Sequence, residues 1–151
     1  MLKRVTLEEG IQTQMGEVFQ AIDNMQLEYN FLITNYEGYS MDEEIENKLS
    51  RNYSWMSGKE LTELIKKGED FQWIWGVLIA FSKEIALESV LSYDLPSLDG
   101  NPKIWGVEPI IQNPLGEFEI IAFDSSLTMI VSKNKKIIEL FKKNCPLAKE
   151  L

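Results

Sequence analysis

The chain has 151 residues, 15 basic and 24 acidic, a net charge of −9 and a 44% hydrophobic content, the make-up of one soluble domain large enough to bury a core without disulfide or metal. It contains no histidine, which excludes Ser-His-Asp and Cys-His pairs, histidine-ligated metals and histidine general bases. The acidic balance opposes nucleic-acid binding, which draws on clustered Lys and Arg.

A single cysteine, Cys145, forms no internal disulfide, and after Lys3-Arg4 the N-terminus lacks the apolar stretch of a secretion signal. A cytoplasmic location is therefore expected. The one long apolar run, Phe71 to Phe81, is 11 residues where a membrane span needs about 20.

Lys3 to Leu7 reads as a first strand. Ile11, Met15, Val18, Phe19 and Ile22 then fall on one face of an amphipathic helix. Leu27, Tyr29, Phe31 and Ile33 alternate with polar residues as in a half-buried strand, with Leu32 out of pattern. Ser40-Met41-Asp42-Glu43 reads as a capping box opening a second helix, with Met41, Ile45 and Leu49 on its inner face. Ser57-Gly58-Lys59-Glu60 is the clearest helix start: Ser57 caps the Glu60 amide, Met56 and Leu61 form the staple, and Gly68 supplies a left-handed stop.

Phe71 to Phe81 is apolar on both faces, which predicts a central strand covered on each side. Trp73 and Trp75, two apart, are expected to share a face. Residues 82–93 fit either a helix or a bent continuation of that strand, and 94–102 are the longest loop. Residues 117–123 and 127–131 predict a hairpin around Asp124-Ser125-Ser126. A last helix starts near Asn134, buries Ile137, Ile138 and Phe141, and ends in Lys142-Lys143. Ile74-Trp75-Gly76-Val77 recurs as Ile104-Trp105-Gly106-Val107, which suggests two strands with close backbone approach at glycine. The predicted fold is α+β: one domain over residues 1–151, a mostly antiparallel sheet with about four helices packed on it.

The Lys3-Arg4 strand, the run Gly16-Glu17-Val18-Phe19-Gln20-Ala21-Ile22-Asp23, the helix start Ser57-Gly58-Lys59-Glu60-Leu61 and the hairpin-plus-helix ending together resemble Domain of Unknown Function 2691, a family of short bacterial proteins. The resemblance spans most of the chain and implies a bacterial cytosolic α+β domain. It carries over no site residue, because the family has no assigned activity.

Motifs with a chemical meaning are few. Gly58-Lys59 suggests a phosphate loop, but Tyr53 stands where its first glycine belongs and Glu60 where its Ser or Thr belongs, so a helix cap explains it better. Ser132-Lys133-Asn134-Lys135 matches S-x-x-K without the companion motifs of the serine acyl-transfer enzymes. Cys145 follows two lysines, a setting that lowers a thiol pKa, yet it has no base, so a passive thiol is expected. The acids Glu37, Asp42, Glu43, Glu44 and Glu46 lack calcium-loop spacing, and no metal or cofactor is assigned. Asp99 and Asp124 are exposed candidates for carboxylate acid–base work, though both stand where turns prefer such residues anyway.

Residues 1–132 carry net −13 and residues 133–151 net +4. A negative body with aromatic anchors suits a basic protein partner. The leading expectation is therefore a non-catalytic protein-binding module, such as an immunity-type inhibitor of a basic toxin. Its candidate contact residues are Glu37, Asp42, Glu43, Glu44, Glu46, Tyr53, Trp55 and Trp105. The alternative is a small-molecule-binding or hydrolytic enzyme with carboxylates in a pocket near the 94–102 loop, one of them with a raised pKa. A homo-oligomer that buries its aromatic face is the third possibility.

Overall fold

The computed structural model describes residues 2–8, 13–38, 40–67 and 71–151. Among these residues seven strands, β1 (Lys3–Leu7), β2 (Tyr29–Gly38), β3 (Ser54–Ser57), β4 (Trp73–Ser82), β5 (Phe118–Phe123), β6 (Leu127–Ser132) and β7 (Lys149–Glu150), form one sheet in the order β3-β2-β4-β5-β6-β1-β7. Every neighbouring pair is antiparallel. Among the described residues five α-helices accompany it: α1 (Met15–Ala21), α2 (Glu43–Leu49), α3 (Gly58–Lys67), α4 (Leu87–Val90) and α5 (Lys135–Asn144). This is the predicted α+β domain, with one helix more than expected.

The pleat divides the strands between two cores. Phe31, Ile33, Leu78, Ala80, Phe118, Ile120 and Ile130 face α1, α3 and α5, whose Val18, Phe19, Leu61, Leu64, Ile65, Ile138 and Phe141 complete a continuous buried cluster. On the opposite face, Leu32, Val77, Ile79, Phe81, Ile121, Met129 and Val131 are closed over by Val90, Leu98 and Ile104. The cover is the irregular segment between β4 and β5. Leu32, out of pattern in a half-buried strand, belongs to this second core.

Local signals place the helices. Ser57 Oγ accepts the Glu60 N–H at 3.0 Å, and Met56 and Leu61 are buried beside it, so the predicted start of α3 holds. Asn134 Oδ1 likewise caps α5 through the Lys136 N–H at 2.9 Å. The start of α2 is corrected: Asp42, not Ser40, is the cap, accepting the amides of Glu44 and Ile45, while Met41 is 97% exposed. α1 ends in the left-handed pair Asp23 and Asn24, residue types whose short polar side chains tolerate that conformation. Ile11 and Gly68 lie outside the described residues. β3 and β7, four and two residues long, had no counterpart in the sequence pattern.

Trp73 and Trp75 do not share a face. The β2–β4 register runs regularly to Thr34↔Val77, then shifts to Glu37↔Trp75 and Gly38↔Trp73. From Thr34 to Glu37 β2 advances three residues against two of β4, and from Glu37 to Gly38 it advances one against two; the second shift, an extra residue on β4, reverses the alternation between Trp75 and Trp73. Trp73 enters the helical core and Trp75 the covered one. Of the two Ile-Trp-Gly-Val runs the first lies in β4 as expected, but the second is no strand: Pro102–Trp105 form a 3-10 turn, started by proline and capped by Asn101.

Candidate functional site

The first of these shifts, on β2 between Thr34 and Glu37, builds a cleft. Asn35 adopts φ +58°, and its Nδ2 donates to Thr34 Oγ1 at 2.9 Å and to the Pro96 carbonyl at 3.0 Å. Thr34 Oγ1 donates to the same carbonyl at 3.3 Å. The 94–102 loop is thereby fixed to the sheet end, enclosing about 520 Å³ between Asn35, Tyr36, Glu37, Trp75, Leu98, Asp99, Gly100 and Phe123. Glu37 and Trp75 are direct cross-strand partners, so carboxylate and indole project from one face. Trp75 meets Phe123 edge-on at 4.8 Å, and Trp105, 45% exposed, meets the same ring at 4.9 Å.

Gln112 holds the far wall. Its Oε1 accepts the Ser97 N–H at 2.8 Å and the Asn101 Nδ2 at 3.1 Å, the two residues that bracket Leu98, Asp99 and Gly100. Its own N–H donates to Glu119 Oε2 at 3.3 Å. Glu119 is 1% exposed, and its Oε1 has no partner among the described residues. Burial pushes its carboxyl up to about 8, although hydrogen bonds from Gln112 pull the other way. The acid is therefore neutral at pH 7. Arg4, across Val131 in the same row of the sheet, donates to the carbonyls of Ile104 at 3.3 Å and Gly106 at 2.7 Å, which fastens the cover at its other end.

A raised carboxyl near the 94–102 loop was expected of a hydrolytic pocket. Glu119 lies four residues from Phe123, roughly 13 Å along the strand, and is sealed beneath the cover. It supports the cleft wall and does not line the cleft.

The other candidates separate. Glu37 is in the cleft and Trp105 at its border. Asp42, Glu43, Glu44 and Glu46 gather at the start of α2, but Lys67 at 2.6 Å and Lys48 at 3.4 Å pair with Glu44 and hold its carboxyl below the usual range. Glu46 accepts hydrogen bonds from Tyr36 Oη at 3.0 Å and Ser50 Oγ at 3.1 Å. Burial, then the bond to Glu46, pushes the Tyr36 phenol up. Only part of that acidic group faces solvent unpaired. Tyr53 and Trp55 sit at the β3 edge, Trp55 against Phe81 at 5.7 Å. Asp99 joins Glu37 in the cleft, while Asp124 occupies the hairpin turn at φ +50°.

The weaker motifs resolve into structure. Ser132 is buried, its Oγ bonded to the N–H and carbonyl of Asn134, both at 2.9 Å, a turn bond and not a primed nucleophile. Cys145 is buried, and burial first, then Glu17, raises its thiol pKa. The lysines before it do not lower it. Cys145 is accordingly expected to react with a disulfide reagent at pH 8 far more slowly in the native protein than in 6 M guanidinium, and equal rates would contradict its burial. Among the described residues no three Cys, Asp or Glu side chains are grouped to hold a metal, and no helix is long and apolar enough to cross a membrane.

Sequence reading named Glu37, Trp105 and the loop but missed Asn35, Trp75, Phe123, Gln112 and Glu119 as parts of one assembly. Comparison of the chain with protein-family models, curated proteins and solved structures gives no match.

Proposed function

We propose that the protein is a non-catalytic binding module that captures a basic protein partner, as an immunity-type inhibitor does, and that the cleft at the 94–102 loop is the centre of its contact surface. The observation that carries this reading is Glu37 set beside Trp75 in a cleft that also takes in Asp99, on a chain of net charge −9. Acidic complementarity speeds encounter with a basic surface, and buried aromatics supply anchors. Trp105 extends the aromatic row outward, and Glu43 adds long-range charge.

Native mass spectrometry of the protein drawn gently from its own cells at low salt is expected to show a stoichiometric basic partner released by added salt. Recovery of the protein alone, or only as a homo-oligomer, would overturn the reading. A second reading, capture of a small cationic molecule, is favoured by the volume of about 520 Å³, a size typical of ligand pockets. The same spectrum separates the two, since a small ligand adds a discrete low mass.

A further inference from the structure

We infer that the cleft is an arginine receptor, seating one guanidinium group of a protein partner against Trp75 between the Glu37 and Asp99 walls. The inference rests on the binding-module reading above and adds the chemical group recognised. Three features select it. Among the described residues every one that lines the cleft is aromatic, aliphatic, acidic, amide or glycine and none is basic, so no lining cation answers the two carboxylates. Asn35 commits its amide N–H groups to Thr34 and Pro96, which leaves its Oδ1 as a third acceptor. A planar guanidinium offers five donors in a fixed fork and lies flat on an indole, whereas an ammonium is a compact point charge. Trp75 and Glu37 stand on neighbouring strands with Cβ atoms about 5 Å apart, close enough for one cation to meet ring and carboxylate together.

The walls are set before any ligand arrives. Asn35 and Thr34 pin Pro96, and Gln112 pins Ser97 and Asn101, so Asp99 is held without an ordering step on binding. Trp105, edge-on to Phe123, gives the flanking backbone of the partner an apolar shelf.

The probe is a capped Gly-Arg-Gly peptide, with its citrulline isostere as the uncharged control, titrated while the four Trp indole N–H signals are followed by NMR. The arginine peptide is expected to shift the Trp75 signal saturably and the citrulline peptide to leave it in place. Glu37→Gln combined with Asp99→Asn, both exposed sites, should weaken binding about tenfold by turning charge-assisted hydrogen bonds into neutral ones. Equal binding of the citrulline peptide, or an unchanged affinity in the double variant, overturns the arginine assignment. Arginine binding at Trp75 without a basic partner in the cell extract would remove the proposed function alone. A salt-labile partner held equally by the double variant would remove the arginine assignment alone.

Discussion

Glu119→Gln is expected to stabilise the protein by about 2–4 kcal/mol at pH 9 and to leave it no more stable than wild type at pH 5. The carboxyl ionises near 4.5 in the unfolded chain and near 8 in the fold, where burial opposes its charge. Between those values the folded state keeps a proton that the unfolded state has released, so stability falls as pH rises. Below 4.5 both states are protonated and the acid carries no penalty. Above 8 the folded state has lost its proton too, and the loss levels off at about 5 kcal/mol for this separation. Arg4 faces the same row, but its guanidinium is engaged by the carbonyls of Ile104 and Gly106 and does not neutralise the acid. Glutamine keeps an oxygen for the Gln112 N–H and removes the ionisation. Its extra buried N–H costs about 1–3 kcal/mol if unpaired, which is why the gain belongs to alkaline pH. Urea unfolding at pH 5, 7 and 9 reads the effect as a slope present in the wild type and flattened in the variant. Parallel slopes would mean that Glu119 does not hold its proton through neutrality.

Much of the scaffold was legible because single elements carry their own signals. The Ser57 cap, the turn Asp124-Ser125-Ser126 between two apolar stretches and the apolar run of β4 each follow from one local rule, and each appears where that rule puts it. Where an outcome depended on a partner elsewhere in the chain, local pattern failed. Ser54–Ser57 becomes a strand because β2 offers its free edge, pairing Phe31 with Met56 and Leu32 with Trp55. Trp73 and Trp75 part because β4 carries an extra residue opposite Glu37 and Gly38 of β2, which interrupts its alternation.

The cleft was half legible for the same reason. The 94–102 loop stood out by its turn residues, and Glu37 and Trp105 by type. Glu119 occupies a position in β5 that reads as solvent-facing, between Phe118 and Ile120, and only the cover makes it buried. The signal for that cover was present in Val90, Leu98 and Ile104: apolar side chains in a segment without regular structure need a surface, and the second face of β4 was the one available. Once the cover is placed on that face, an acid in β5 must be neutral or paired, and Gln112 becomes the residue that ties it to the cleft wall.

Gly58→Ala is expected to destabilise the protein by about 3 kcal/mol or more, and its sign is decided by packing against helix propensity. In an unobstructed helix alanine would be favoured over glycine by about 1 kcal/mol. Here a Cβ on residue 58 would lie 1.8 Å from the Gln26 carbonyl oxygen, 2.7 Å from its carbon and 3.1 Å from the Tyr29 oxygen. All three are backbone atoms of the 3-10 turn Met25–Glu28 and the strand it feeds, so no side chain can rotate away. Relief requires α3 and the turn to separate, which disturbs the bond from Gln26 Nε2 to Thr62 Oγ1 at 3.0 Å, that from Thr62 Oγ1 to the Gly58 carbonyl at 2.6 Å, and the pairing of Asn30 with Ser57. Overpacking costs about 1–3 kcal/mol where side chains can adjust, and more where they cannot. For a domain of this size the midpoint should fall by roughly 10 °C. Lys59→Ala, at an exposed position one residue on, should leave the midpoint within about 2 °C, as surface changes usually do. Thermal unfolding of both variants tests the assignment, and a Gly58→Ala midpoint as close to wild type as that of Lys59→Ala would show that α3 does not press on the turn.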